Sequence, residues 1–310
     1  MAHDHDHHGH DHGVRADAEV RPLAIALTLI VGFMAVEVTV GIVADSLALL
    51  SDAAHMLIDA AALALSLWAA RLARRPAEGR MTFGFRRAEI LSAQANAITL
   101  LVLGVLIVVE AVQRLSSPPS VDAPPVVFTA LAGAAVNLVA IWQVARANRE
   151  NLNVEGSFQH LVTDFFAFAA TVVAGTVIWI TGFDRADPIA SLGVAASMLY
   201  AALPLLRRTG RVLLEAAPEG LRPEEVATTI TTHPGVTSLH DLHVWEISSG
   251  FPSLSAHVLV ARDEDCHRIR RELETLLHER FGLDHTTLQV EHTSDRLLDI
   301  SPLRSGRVDR

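Results

Sequence analysis

The chain has 310 residues, half of them hydrophobic, with a mean hydropathy of +0.33 and a formal net charge of −10. It is too apolar for an ordinary soluble domain and reads as an integral membrane protein. The acidic balance, with a pI near 5.9, excludes nucleic acid as a partner, since a polyanion would be repelled.

Residues 1–21 form a polar segment in which His3, His5, His7, His8, His10 and His12 are interleaved with acids and glycines. With almost nothing apolar to bury, it is expected to be a disordered, His-rich tail. A loose metal-collecting segment is preferred over a plain solvated tail. No cleavable signal peptide is expected, because a short apolar region with a small-residue cleavage site is missing.

Six segments are long enough to cross a bilayer, near 22–44, 47–73, 86–113, 124–146, 155–181 and 187–206. Ala44-Asp45-Ser46 makes a tight hairpin between the first two, and proline and glycine clusters mark later turns. Arginine supplies every positive charge, and its distribution gives the orientation. Arg71, Arg74, Arg75, Arg80, Arg86 and Arg87 fall in the second connection, Arg146 and Arg149 in the fourth, and Arg207, Arg208 and Arg211 after the last span. The positive-inside rule places both termini in the cytoplasm.

Within the second span, His55 precedes Asp59 by four residues; in the fifth, His160 precedes Asp164 by the same interval. On a helix this puts imidazole and carboxylate on one face, one turn apart. A single such pair is equally well read as a buried hydrogen bond joining two helices. Two pairs on antiparallel helices at matching depth offer two nitrogens and two oxygens, the ligand set of a tetrahedral transition-metal site, typically zinc. Asp52, three residues before His55, shares its face and is a weaker pathway candidate. Glu37, Gln94, Asn96, Glu110 and Asn137 also lie in the spans; the amides among them read as interhelical glue.

After Arg211 the hydropathy drops. A helix opening at Leu221-Arg222-Pro223, strands over 237–247 and 253–260, an amphipathic helix over 263–281 and a last strand over 286–291 give an αββαβ order. That order predicts a two-layer α+β domain with helices on one face of a sheet. The expected organisation is therefore a tail over 1–21, a six-helix transmembrane domain over 22–211, a cytoplasmic domain over 212–292 and a flexible tail over 293–310. His233, His240, His243, His257, His285, His292 and Glu291 make a second metal site plausible there, although their spacing does not define one. Cys266, the single cysteine, reads as a free structural thiol.

The six spans, the two HxxxD pairs, Ser46-Leu47-Ala48-Leu49-Leu50-Ser51-Asp52, Phe83-Gly84-Phe85-Arg86-Arg87-Ala88-Glu89, Asn153-Val154-Glu155-Gly156 and His240-Asp241-Leu242-His243-Val244-Trp245 together resemble the cation diffusion facilitator family of metal transporters, in its zinc branch. The resemblance runs from about residue 20 to 292. It implies a homodimer with a ferredoxin-like cytoplasmic domain, and export of zinc from the cytoplasm in exchange for protons. By position it implies His240, His257 and Glu291, with His285 less securely aligned, as zinc ligands of the cytoplasmic domain. Some members bind an additional metal in the loop between the second and third spans. Here Arg74-Arg75-Pro76-Ala77-Glu78-Gly79-Arg80 has neither His nor Cys, so that site is not expected.

The expected cargo is zinc, with cadmium, cobalt or iron as the alternative, because a two-His, two-Asp set discriminates poorly among them. Zinc needs neutral imidazole and ionised carboxylate, so protons compete for the same groups. With no GxxxxGK[ST] stretch, the proton gradient is the natural energy source. No enzyme and no cofactor are expected. An intramembrane metalloprotease would need HExxH or a glutamate beside a ligand, and neither occurs. A membrane-anchored metal sensor would have no need of ligand pairs inside its anchor. A bacterial inner membrane is the expected location.

Overall fold

The computed structural model describes residues 12–43, 47–118 and 123–293; of these, the side chains of 12–19, 40–41, 43 and 47–55 are not described. The histidine-rich segment up to residue 11, the Ala44-Asp45-Ser46 hairpin and the tail from 294 lie outside the described residues. Contacts divide the chain into a helical unit, running to Leu214 and including Ile247–Gly250, and an α+β unit made of Glu215–Glu246 and the chain from Phe251 onward.

The helical unit consists of α1 (His12–Val43), α2 (Leu47–Ala73), α3 (Ala88–Ser116), α4 (Ala123–Val144), α5 (Leu152–Thr181) and α6 (Ala186–Leu213). All six are long and apolar enough to span a membrane. Two bounds depart furthest from the sequence expectation. Helix α1 starts at His12, so residues 12–21, expected to be disordered, are helical. Val14-Arg15-Ala16-Asp17-Ala18-Glu19 is rich in strong helix formers and extends the apolar span backwards. Helix α6 continues past residue 206 to Leu213 and carries Arg207, Arg208 and Arg211 on its last turns.

Apolar residues on all sides are what a helix in lipid requires, since no water competes for its backbone. Tyr200, Ile180, Phe128 and Trp179 are among the large side chains that remain exposed, as lipid-facing residues would be. Inside, Leu23, Ala26 and Ile30 of α1, Met56, Ala60, Leu63 and Leu67 of α2, Ala140 and Val144 of α4, and Val154 and Leu161 of α5 form one core. A second cluster joins Ile90, Ala93 and Ala97 of α3 to Leu152 of α5 and Leu205 and Val212 of α6. Small residues permit close approach: a Cβ on Gly175 would lie 2.7 Å from Val127 Cγ2, so α4 and α5 meet only because that position is glycine.

Helix α5 carries a buried polar stripe and has well-defined ends. Asn151 caps it, its side chain accepting from the backbone N–H groups of Asn153 and Val154 at 2.9 and 3.3 Å. Gly182, with φ of 65°, closes it in the left-handed conformation that glycine adopts without steric cost.

The α+β unit runs α7 (Pro223–Thr231), β1 (Val236–Glu246), β2 (Pro252–Val260), α8 (Cys266–Phe281) and β3 (His285–His292). This is the αββαβ order, an α+β ferredoxin-like arrangement of helices on a sheet ordered β1-β2-β3. Strands β1 and β2 are antiparallel, and β2 and β3 are parallel through the α8 crossover. Leu254, Ala256, Val258 and Val260 of β2 pack with Ile269, Leu273 and Leu277 of α8. Asp265 caps α8, and the backbone N–H of Arg268, with that of His267, holds its carboxyl below the usual carboxylate range.

Candidate metal centre

Helix α5 presents Asn153, Ser157, His160 and Asp164 at intervals of four, three and four residues, which is one helix face, and all four are buried. Facing them is α2, which contributes Asp59. His160 Nε2 lies 3.1 Å from Asp59 Oδ1 and 3.7 Å from Asp164 Oδ2. Ligand atoms of Asp59, His160 and Asp164 all fall within 4.8 Å of one another, and the residues are 5 %, 1 % and 5 % exposed. His55 lies on α2 one turn before Asp59, but its side chain, like that of Asp52, is outside the described residues.

The chemistry of this set suits a divalent transition-metal ion. Two carboxylates beside one imidazole, shut away from water, are costly unless a cation neutralises them. Among the described residues, His160 Nδ1 and Asp164 Oδ2 are moreover buried without a hydrogen-bond partner, an expensive condition in a membrane interior. Borderline nitrogen together with hard oxygen is the donor set zinc and its neighbours accept.

In the α+β unit a second group forms. His240 and His257 are register partners on β1 and β2, their rings 5.1 Å apart, and Asp241 joins them within 4.8 Å. Asp241 was not among the residues expected from the sequence. It enters because the β1–β2 register shifts between His240 and His243, where Asp241 takes φ of 50°, a conformation aspartate tolerates better than most residues. The adjacent acid in His240-Asp241 was the only sequence signal. Glu291 and His285 are not brought into this group: both lie on β3, on the far side of β2, with Glu291 in register with Leu259 and His285 beside Phe251.

The transmembrane segments match the family model described as the cation efflux transmembrane domain over residues 23–214, and 218–293 match that of the cation efflux protein, cytoplasmic domain. The chain belongs to the cation diffusion facilitator family. Among its relatives within this family, the cadmium, cobalt and zinc/H(+)-K(+) antiporter of Bacillus subtilis is 33 % identical, over all of this chain and 99 % of its own length. The zinc transporter ZitB of Escherichia coli is 35 % identical over 94 % of this chain and 93 % of its own length. The metal cation efflux system protein CzcD of Cupriavidus metallidurans is 36 % identical over 87 % of this chain and 86 % of its own. Cation diffusion facilitators are transporters and not enzymes, and this one is a multi-pass membrane protein of metal efflux.

Proposed function

We propose that the protein exports zinc from the cytoplasm in exchange for protons by alternating access. The observation that carries this reading is the buried Asp59–His160–Asp164 cluster between α2 and α5. His55, one turn before Asp59, is the expected fourth ligand. Metal and protons compete for the same imidazole and carboxylates, so each transit of the site by zinc displaces protons that the opposite side resupplies. The distribution of arginines supports both termini being cytoplasmic, and the bacterial relatives support a bacterial inner membrane. The match of residues 218–293 to a domain model named for dimerisation supports a homodimer.

Cadmium or cobalt as a main cargo is a second reading, favoured by the printed substrates of the Bacillus subtilis relative. Purified protein in proteoliposomes containing a pH-sensitive dye separates these possibilities. Zinc entry should be accompanied by opposite proton movement and should stop when an ionophore dissipates the gradient. Zinc flux indifferent to the gradient would refute antiport, and flux of cadmium or cobalt without zinc would refute the cargo assignment.

The His240–Asp241–His257 group is proposed to hold zinc in the cytoplasmic domain. His257→Ala should lower the zinc that full-length protein retains after dialysis while Asp59 and His160 continue to bind. An unchanged zinc content in that variant would rule the group out.

A further inference from the structure

We propose that a tier of buried amide and hydroxyl groups two helical turns from the metal cluster fixes the size of the ligand cage and so biases it toward zinc over the larger cadmium ion. This rests on reading Asp59, His160 and Asp164 as metal ligands.

Ser66 follows Asp59 by seven residues on α2, and Asn153 precedes His160 by seven on α5. Seven residues return a helix to nearly the same face, about 10 Å along its axis. Both pairs are in contact: Asp59 with His160, and Ser66 with Asn153, whose Nδ2 donates to the Ser66 carbonyl oxygen at 2.8 Å. Helices α2 and α5 are therefore antiparallel and pinned at two points on one interface. Helix α3 supplies a third tie, because Asn96 Nδ2 donates to Ser66 Oγ at 3.0 Å. Asn153, Ser66 and Asn96 are 1 %, 0 % and 2 % exposed.

This tier is more than packing for two reasons. The Ser66 carbonyl belongs to a helix, where backbone groups find partners within the segment, so the Asn153 bond adds a cross-helix constraint that folding of α2 does not require. Among the described residues Asn153 Oδ1 is also buried without a hydrogen-bond partner, a cost that accompanies the bond made by its nitrogen. Zinc ligands sit about 2.0–2.2 Å from the ion for nitrogen and oxygen donors, and a larger ion needs every ligand to retreat. Since Asp59 comes from α2 and His160 with Asp164 from α5, retreat means moving one helix against the other. The tier resists that movement. Asn153, Asn96 and Ser66 are positioning residues and do not touch the metal.

Proteoliposome transport measured with zinc and with cadmium tests this. Asn153→Ala should raise the KM for zinc and shift the cadmium-to-zinc ratio of kcat/KM toward cadmium by up to about tenfold, the ceiling expected for loss of one interhelical hydrogen bond. Ser66→Ala removes only the acceptor of Asn96 and keeps the carbonyl bond, so it should give a smaller shift in the same direction; it also serves if Asn153→Ala does not fold. An unchanged cadmium-to-zinc ratio in Ser66→Ala, and in Asn153→Ala where it folds, would overturn the proposal while leaving the transport site intact. Failure of the wild-type protein to move zinc would instead overturn the underlying reading of the cluster.

Discussion

His160→Ala and Asp164→Asn are each expected to reduce zinc flux by more than about a hundredfold, because loss of even an outer-shell partner of a metal ligand costs about 10–100-fold. The two substitutions fail for different reasons. His160→Ala removes the imidazole that lies between Asp59 and Asp164, and with it the only nitrogen among the described ligand atoms. Asp164→Asn keeps the shape and one oxygen but removes a negative charge that would neutralise a divalent ion in a low-dielectric interior. In the absence of metal the same change relieves repulsion between two buried carboxylates, so the variant should fold at least as well as wild type. Transport assays paired with thermal unfolding in detergent separate the two effects. Near-normal zinc flux in either variant would remove the cluster from the pathway.

Leu273→Ala should destabilise the α+β unit by about 2–5 kcal/mol, the range for truncating a fully buried leucine. Leu273 is at the centre of the Ile269, Leu273 and Leu277 stripe of α8, all three wholly buried against the sheet core that includes Leu254 and Val258. A domain typically holds only about 5–15 kcal/mol in reserve, so this one cavity takes a substantial share. Hydrogen exchange at β2 amides of the full-length protein reads the effect directly: those amides should lose protection together, with α2 and α5 unaffected. A loss below about 1 kcal/mol would mean that α8 is not seated as described.

The elements that sequence reasoning located well are those whose signals are local. Apolar runs of span length, the proline in the first turn of α7, and the i,i+4 stripe of α8 each lie within one segment, and the structure has a helix at each. The His160/Asp164 spacing is equally local, because a helix converts an interval of four into one face. Helix ends were less legible. The start of α1 at His12 depends on helix propensity propagating through a polar stretch that composition alone marks as disordered.

What the sequence by itself determined was the membrane class, the αββαβ order and the residue types on each ligand-bearing face, all consequences of periodicity and composition. The tertiary structure added the contacts between those faces that spacing and orientation do not specify. It sets Asp59 of α2 against His160 of α5, makes Ser66 and Asn153 a second tier on the same interface, and uses a register shift in β1 to turn Asp241 toward His240 and His257. Pairing between segments a hundred residues apart depends on helix packing and strand register, which no interval read along one segment encodes.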